Sequence, residues 1–568
     1  MSTAIAVLGG VGLFLLGMTV MTDGLKALTG SALRAVLGKA TATPVAGAFW
    51  GAIVTLLVQS SSAVTMTTIG LVSAGLLTFT QGLGLVFGAN VGTTGTGWLV
   101  ALVGVRVSLS VYALPMIFVG ALAKLLAGGR TAAAGGALAG FALVLYGLTT
   151  LQEGMGGLAQ SLHPSDLPAV LGMPGIGWGS GSMGLLALIA VGLVMTAVMQ
   201  SSTAAIAVTI SAFHAGAVGL EQGAALIIGQ NIGTATSSAM AAIGASTTAK
   251  RLALAYMLFK IIAALIAVVA FPLTAPLLKG LTGRFDGTTL LAAYHTAYNV
   301  VGVAVLLPAT GWFARVAERL LPSTETAVER TLDRSALLNP MIAVEAARRV
   351  VADMLGTIAG SVSAALTGKA NGVAQTAATA TGALEEVRDF LSELQEPPET
   401  ETERFRMTST LHALDHVTRL AEMLRADDLP VPGAAAAHAP EAAALCGEAM
   451  HAAQVVAGSL PLEALARKRA GTVRWNVAPE VEAALAEAER TAIALTALRQ
   501  EQRTTILASV APGQLTAAEA LSRIDAARKL ERIAHHTWRS AAHLLGRGEQ
   551  DHSPSPGDLS GGSEHEPS

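Results

Sequence analysis

Charged residues and cysteine are both scarce in this chain of 568 residues. Asp, Glu, Lys and Arg together make up 13% of it, about half of their share in ordinary soluble domains, which excludes a purely soluble enzyme and a disordered chain. The only cysteine is Cys446, so an intramolecular disulfide framework is excluded. The net charge of −3 gives no electrostatic reason to expect nucleic-acid binding. The sequence shows no phosphate-binding loop, zinc-ligand pattern or catalytic triad that would indicate an enzyme.

The charges are distributed unevenly along the chain. Residues 1–310 contain 11 Lys or Arg and 5 Asp or Glu, whereas residues 311–568 contain 25 and 34. A membrane-spanning helix needs about 20 mostly apolar residues, and the first part has seven runs of about that length. They lie at 4–21, 83–104, 108–127, 131–151, 222–244, 251–271 and 288–308. Residues 1–310 are therefore predicted to form an all-α, polytopic membrane domain with seven crossings.

Two further apolar stretches, 44–79 and 183–220, are interrupted in the middle by polar residues. The interruptions read Gln59-Ser60-Ser61-Ser62 and Gln200-Ser201-Ser202-Thr203. The arm before the first interruption, Pro44 to Val58, spans roughly 22 Å as a helix, less than the ~30 Å hydrocarbon core of a bilayer. Because broken helices at membrane depth must be buried in protein or line a polar cavity, we expect two re-entrant hairpins.

The same motifs recur at a fixed distance. The separation along the chain between Gln59 and Gln200 equals that between Asn90 and Asn231, each of which begins an Asn-x-Gly-Thr motif. We call this separation the repeat offset, and we predict two repeats, at about 4–127 and 131–271, followed by a final helix at 288–308. The loop at 22–43 has a net charge of +2 and its counterpart at 152–182 has −2. The positive-inside rule then inverts the second repeat and places the N-terminus outside, an arrangement typical of secondary transporters.

The residues at the interruptions predict an anion site. Serine and threonine are good helix N-caps, and a helix N-terminus offers free N–H donors to an anion. A donor-rich cage for a tetrahedral oxyanion is predicted from Gln59, Ser60, Ser61, Ser62, Gln200, Ser201, Ser202 and Thr203. Side-chain oxygens in backbone expected to be unwound suit Na⁺, and they come from Asn90, Thr93, Thr94, Asn231 and Thr234. These motifs contain no acidic residue, which disfavours a proton relay. Helix packing by small polar residues is the alternative interpretation.

Together these motifs resemble the bacterial Na⁺/phosphate cotransporter family, which is related to the type II animal carriers. The resemblance covers about residues 4–310 and includes the segments Leu16-Gly17-Met18 to Gly24-Leu25 and Tyr294-His295-Thr296-Ala297-Tyr298-Asn299. It implies transport of inorganic phosphate coupled to Na⁺. It also implies that the two glutamine–serine regions hold substrate and ion. His295 is assigned no catalytic role, and no organic cofactor is expected.

The polar part is predicted to be a helical bundle at 325–546, joined by a linker at 311–324 and followed by a disordered tail at 547–568. Its segment Leu530-Glu531-Arg532-Ile533-Ala534-His535 resembles PhoU-like domains, which implies a role in phosphate regulation. That resemblance also suggests metal binding as a function of this part. The weak candidate ligands are Asp415, His416, Glu531, His535 and His536. An exposed charge cluster is the favoured interpretation of these five residues, so no metal site is predicted.

The sequence therefore predicts a sodium-coupled phosphate symporter of the bacterial inner membrane with a cytoplasmic regulatory domain. Its expected partners are inorganic phosphate, Na⁺ and the lipid bilayer, with a phosphate-regulatory protein and a homodimer as open possibilities. Two alternatives stay open. One is a phosphate-sensing membrane protein, and the other is a carrier for a different tetrahedral oxyanion such as sulfate or arsenate.

Overall fold

The computed structural model describes residues 3–39, 43–104, 110–243, 245–323, 325–369, 372–395, 398, 400–425, 436–460, 467–469, 472–474 and 477–548. The chain divides into two compact units, Met1–Thr326 and Ala327–Ser568. We call them the membrane unit and the helical unit. Both are built almost entirely of helices, so the prediction of an all-α, polytopic membrane protein is confirmed.

The membrane unit contains twelve α-helices within its described residues. They are α1 (Thr3–Lys39), α2 (Pro44–Val58), α3 (Ser61–Ser73), α4 (Phe79–Trp98), α5 (Ser110–Leu126), α6 (Gly129–Leu158), α7 (Trp178–Met199), α8 (Ser202–His214), α9 (Leu220–Ala241), α10 (Thr247–Leu281), α11 (Gly287–Leu306) and α12 (Thr310–Leu320). A π-helical segment, Leu99–Gly104, extends α4, and short 3₁₀ turns lie at Pro164–Asp166 and Leu307–Ala309.

Seven helices of the described chain are long and apolar enough to cross a membrane. They are Thr3–Leu28, Phe79–Leu102, Gly129–Leu158, Trp178–Met199, Thr247–Leu281, Gly287–Leu320 and Pro340–Leu366. Five coincide with predicted crossings, but 108–127 and 222–244 are not among them, because α5 is shorter and α9 carries many polar residues. The seventh lies in the helical unit. Which segments cross the membrane therefore stays a prediction.

The two predicted hairpins differ in the length of their first arm. α2 has 15 residues, as predicted, whereas α7, the equivalent arm in the second repeat, has 22. At 1.5 Å per residue α7 reaches about 33 Å, enough to cross a bilayer by itself. Only α8 after it, with 13 residues, is too short to cross.

The first helices of the two repeats pack against each other in opposite directions. A Cβ atom on Gly17 would lie 2.5 Å from the backbone nitrogen of Val144, and one on Gly24 would lie 2.4 Å from that of Ala137. As residue numbers rise along α1, those of its neighbours fall along α6, so these helices are antiparallel. Only glycine allows such a close backbone approach. The two repeats thus begin with helices of opposite direction.

The duplication extends to packing inside each repeat. A Cβ on Gly88 of α4 would lie 1.9 Å from the carbonyl oxygen of Ala48 on α2, and one on Gly229 of α9 would lie 1.9 Å from that of Ile189 on α7. Gly88 and Gly229 are again separated by the repeat offset. Each interrupted arm therefore crosses the helix that carries the Asn-x-Gly-Thr motif at backbone contact distance.

The predicted linker at 311–324 is largely a helix of the membrane unit. α12 (Thr310–Leu320) buries Phe313 completely, and its ring lies 5.3 Å from that of Phe87 on α4. The boundary between the units falls after Thr326. The apolar face of α12 explains the difference, because an amphipathic helix buries its apolar side against neighbouring helices.

Within its described residues, the helical unit contains a short helix, α13 (Ala327–Thr331), and six long ones. These are α14 (Pro340–Leu366), α15 (Val373–Ser392), α16 (Glu401–Arg425), α17 (Pro440–Gly458), α18 (Pro479–Ala508) and α19 (Ala517–Leu544). A 3₁₀ turn lies at Arg334–Leu338, and two antiparallel three-residue strands, β1 (Arg467–Arg469) and β2 (Thr472–Arg474), form a small hairpin. Of the predicted tail, 547–548 are described and 549–568 lie outside the described residues.

A buried ion pair joins two ends of the helical unit. Arg348 on α14 is fully buried, and its Nη2 donates to Glu345 Oε1 at 2.8 Å. Its Nη1 donates to the carbonyl oxygen of Leu544 at the end of α19, also at 2.8 Å. A buried charge is tolerated when it is paired and hydrogen-bonded in this way.

Candidate functional site

The first hairpin turns at Gln59. α2 begins at its N-cap Thr43, with Pro44 in the first turn, and ends where Gln59 adopts the left-handed conformation, with φ 58° and ψ 27°. The next residue, Ser60, is the N-cap of α3 and accepts a hydrogen bond from the amide of Ala63 at 3.3 Å. The polar interruption thus ends one helix and starts another within a single turn of chain.

The second hairpin repeats this geometry. Gln200 has φ 52° and ψ 22°, and Ser201 caps α8 by accepting from the amide of Ala204 at 3.2 Å. Among the described residues, Gln59 and Gln200 are the two non-glycine positions with positive φ. Residues other than glycine are disfavoured there by about 1 kcal/mol or more. The strain is present at the same position of both repeats, as expected for a functional site.

The glutamine side chains secure both turns. Gln59 Nε2 donates to the carbonyl of Leu56 at 2.6 Å, and its Oε1 accepts from the Thr96 hydroxyl at 2.6 Å. Gln200 Nε2 donates to the carbonyl of Ala197 at 2.5 Å, and its Oε1 accepts from the Ser237 hydroxyl at 2.9 Å. The glutamine amides are therefore already engaged in holding the turns.

Thr96 and Ser237 were not identified from the sequence, although the repeat offset separates them just as it separates the motifs that were found. The repeat offset is the sequence feature that could have revealed these two residues. Applying it to every hydroxyl residue of the first repeat would have paired Thr96 with Ser237.

A cavity of about 400 Å³ lies between the two turns. All eight residues predicted for the anion cage line it, together with Thr93 of α4 and Thr234 of α9. The structure therefore brings together two tetrapeptides that belong to different repeats of the chain.

The cavity wall carries charges that the motifs do not. α1 contributes Asp23 and Lys26, whose side chains form an ion pair at 3.6 Å and are 65% and 44% exposed. The motifs themselves contain no acidic residue, and the packing of α1 beside them adds this pair to the cavity wall. Because this pair is exposed and mutually compensating, it adds little fixed charge at the turns.

The Asn-x-Gly-Thr motifs differ from their prediction. They lie within α4 and α9, which are continuous helices, so the expected unwound backbone is absent from these described segments. Asn90, Thr94 and Asn231 are buried and do not line the cavity. Asn90 Nδ2 donates to the carbonyl of Val86 at 3.1 Å and Asn231 Nδ2 to that of Ile227 at 2.9 Å. The glycines serve close packing here, not unwinding.

Each of these glycines packs against a buried threonine. A Cβ on Gly92 would lie 2.7 Å from Thr55 Cβ, and one on Gly233 would lie 2.6 Å from Thr196 Cβ. Both threonines are fully buried, and their Oγ1 atoms have no hydrogen-bond partner among the described residues. An unsatisfied buried hydroxyl costs about 1–3 kcal/mol. Its recurrence in both repeats marks Thr55 and Thr196 as candidate ligands that the sequence motifs did not indicate.

The metal candidates of the helical unit do not converge. Asp415 pairs with Arg419 at 2.9 Å and is exposed, and Glu531 accepts from the Thr496 hydroxyl at 3.2 Å. His535 packs against Trp538, with ring centres 5.7 Å apart. In the described part of the chain, no three His, Cys, Asp or Glu residues are placed to hold a metal ion.

Histidines nevertheless meet between α16 and α19. The Nδ1 atoms of His416 and His536 are 3.0 Å apart, and the His543 ring lies 5.6 Å from that of His416. Burial, followed by the neighbouring histidines, lowers the pKa of His416 to about 3. Burial also lowers the pKa of His536 and of His543 to about 4. All three rings are therefore neutral at pH 7.

This histidine contact predicts an acid-labile helical unit. Between about pH 6.5, the ordinary histidine pKa, and pH 4, these histidines are protonated in the unfolded chain but neutral in the folded unit. The free energy of unfolding therefore falls as the pH drops through this range. We expect the unfolding temperature of the helical unit to fall less between pH 7 and 5 in H416N/H536N than in the wild type. Replacing the exposed His438 by Asn is the control. An equal fall in all three proteins would contradict the prediction.

Comparison with known proteins identifies the membrane unit. A family model described as Na⁺/Pi-cotransporter matches residues 13–153 and 183–277. One matched segment contains the Gln59 turn, and the other contains the Gln200 turn. These segments make up most of the membrane unit, which is therefore similar to the Na⁺/Pi-cotransporter family. This agrees with the resemblance found in the sequence.

Individual relatives are similar to the chain over different lengths. "Uncharacterized protein YqeW" of Bacillus subtilis is 26% identical over 316 residues, which cover 55% of this chain and 95% of that protein. "Putative inorganic phosphate export protein YjbB" of Salmonella typhimurium is 29% identical over 359 residues, 62% of each chain. The rabbit "Sodium-dependent phosphate transport protein 2A" is 46% identical over 61 residues, 11% of this chain and 10% of that protein. The chain thus spans less than two thirds of YjbB. No solved structure matches it significantly.

Proposed function

We propose that this chain carries inorganic phosphate together with Na⁺ across the bacterial cytoplasmic membrane by alternating access. The convergence of two helix N-termini, those of α3 and α8, on one cavity supports this proposal most directly. Free backbone N–H groups at such ends, with the partial positive charge of the helix dipole, favour a bound anion. The hydroxyls of Ser61, Ser62, Ser202 and Thr203 add donors around the same space.

Sodium coupling follows from the charge of the site. The turns offer neutral donors, and the charged pair on the described cavity wall, Asp23 and Lys26, compensates itself. A phosphate anion placed there needs a co-bound cation. The hydroxyl oxygens of Thr93 and Thr234 at the cavity, and of the buried Thr55 and Thr196, are hard ligands that suit Na⁺. A rabbit relative named as sodium-dependent supports the same cation.

The cavity extends towards the side predicted to be cytoplasmic. Its wall includes Asp23 and Lys26 of α1 and Ala249, which precedes Lys250 and Arg251 in the first turn of α10. Positively charged segments favour the cytoplasmic face. We therefore assign the structure to an inward-facing state. The same site can bind its ligands from either side of the membrane, and the gradients of Na⁺ and phosphate set the direction of transport. The proposal is therefore compatible with a relative named as an export protein.

Transport into proteoliposomes tests the function. Purified full-length protein is expected to take up radiolabelled phosphate under an inward Na⁺ gradient and to release preloaded phosphate when the gradient is reversed. Unlabelled phosphate should compete, whereas an equal concentration of sulfate should not. Uptake that is independent of Na⁺ would contradict the coupling. Stronger competition by sulfate or arsenate than by phosphate would favour the other-oxyanion alternative.

We further propose that the helical unit is a PhoU-like regulatory domain on the cytoplasmic side. A chain that ends at Thr326 is expected to retain Na⁺-driven phosphate uptake in proteoliposomes, because every described residue that lines the cavity belongs to the membrane unit. The expected change is in regulation by phosphate in cells. Loss of uptake by a truncated protein that is otherwise folded would contradict a purely regulatory role and favour the phosphate-sensing interpretation.

A further inference from the structure

One helix, α10, contacts the asparagine of both repeats through two residues one helical turn apart. The Tyr256 hydroxyl donates to Asn90 Oδ1 at 2.7 Å, and Lys260 Nζ donates to Asn231 Oδ1 at 3.4 Å. The two asparagines are equivalent by the repeat offset. The two repeats therefore present the same acceptor atom, and α10 meets one with a neutral hydroxyl and the other with an amine.

Lys260 lies in an unusual place for a lysine. Its side chain is 2% exposed, and the helix around it is apolar. Within the described chain it has no ion-pair partner. Its neighbours include the Asn231 side-chain oxygen and the Tyr256 ring, whose centre lies 5.5 Å from Nζ. The buried His295 is also close enough to interact with it electrostatically. An ionisable residue buried at membrane depth is costly, and one that is retained there usually serves transport.

The surroundings of Lys260 suit a cation. An amide oxygen and an aromatic face both attract positive charge, and the same groups can bind a Na⁺ that has lost its water. Tyr256 lines the cavity, whereas Lys260, one turn further along α10, is not among the lining residues. A positive charge there acts on an anion bound at the turns through a medium of low dielectric constant, where Coulomb interactions are strong.

We propose that the Lys260 ammonium takes the place of a coupling Na⁺ in the second repeat. The inference rests on the proposed Na⁺-coupled phosphate transport and specifies its coupling. In the first repeat the group that contacts Asn90 is neutral, so an exchangeable Na⁺ is needed to supply the charge. In the second repeat the charge is built into the chain. If each repeat held one coupling Na⁺, the two repeats would bind two per phosphate. With Lys260 in place of the second ion, the transporter binds one fewer.

Equilibrium binding of radioactive Na⁺ to the purified full-length protein in detergent tests the inference without requiring transport. The buffer contains saturating inorganic phosphate, and the proteins are wild type, K260Q, K260R and K279Q. The glutamine in K260Q removes the charge and places an amide oxygen near the vacated position. We expect K260Q to bind one additional Na⁺ per chain at saturation. K260R, which keeps the charge, and K279Q, which makes the same change at an exposed position of α10, should match the wild type.

Three results would overturn the inference. They are an unchanged Na⁺ count in K260Q with phosphate still bound, an unchanged Na⁺ count in K260Q with phosphate binding lost, and the same gain in K260R. The second result would make Lys260 a direct phosphate ligand. K260A replaces K260Q if the latter fails to elute as a monodisperse protein. Failure of the proposed function is distinguishable from failure of this inference. The first would appear as a lack of Na⁺-driven uptake by wild-type proteoliposomes, whereas the second is measured by the number of Na⁺ bound to each variant.

Discussion

Replacing Ser61 and Ser202 together by alanine is expected to lower phosphate uptake at least about 100-fold. Each hydroxyl lies at the first residue of a helix whose N-terminus faces the cavity. A hydrogen bond to a charged ligand contributes about 1.5–3 kcal/mol, so losing two weakens binding by about 3–6 kcal/mol, or roughly 10²–10⁴-fold. Initial rates of radiolabelled phosphate uptake into proteoliposomes measure the effect, and each single variant should show an intermediate loss.

The matched control replaces two serines outside the cavity. Ser180 and Ser182, near the start of α7, do not line it, and their hydroxyls donate to backbone carbonyls. The S180A/S182A protein should transport like the wild type. Normal uptake by S61A/S202A would show that these hydroxyls only pack the helices, which was the alternative interpretation of the sequence.

The second large effect is expected on the Na⁺ requirement, from the change Thr55→Val. Valine keeps the shape of threonine and removes the oxygen that has no partner among the described residues. If that oxygen binds Na⁺, T55V should need at least about tenfold more Na⁺ for half-maximal uptake, which corresponds to about 1.4 kcal/mol of lost ion binding. T55S, which restores the hydroxyl, should recover most of the wild-type response.

The equivalent change in the second repeat provides an internal comparison. Because Lys260 is proposed to supply the cation there, T196V should shift the Na⁺ requirement much less than T55V does. Uptake measured over a series of Na⁺ concentrations at fixed ionic strength distinguishes the two. A T55V protein with wild-type Na⁺ dependence and higher stability would show that the hydroxyl has no ligand, because removing an unsatisfied buried group is stabilising.

The two turns were largely predictable from sequence. Glutamine and serine break an apolar run, the first arm is too short to cross a bilayer, and Ser60 and Ser201 are typical N-caps. These are local signals, since capping and helix length depend on residues a few positions apart. The repeat offset then predicted that two such turns belong to one site, and the cavity lining agrees with that prediction.

The asparagine motifs were predicted less well. Glycine and threonine in Asn-x-Gly-Thr suggested unwound backbone, but α4 and α9 continue through them because Gly92 and Gly233 lie where another helix approaches. Glycine serves both purposes, and the sequence does not say whether a second helix is near. The assignment of 311–324 as a linker was wrong for a related reason, because the burial of Phe313 depends on α4.

The sequence by itself determined the composition of the membrane unit, the duplication, the two interruptions and the residue types at the two turns. Those features follow from hydropathy, spacing and capping, which are properties of neighbouring residues. Only the tertiary structure decided which side chains meet. Lys260 is visible in the sequence as one base in an apolar run, but its contact with Asn231, 29 residues away, exists because α10 packs against α9. The charge of the site is therefore set by packing between helices, which acts over distances that sequence periodicity does not record.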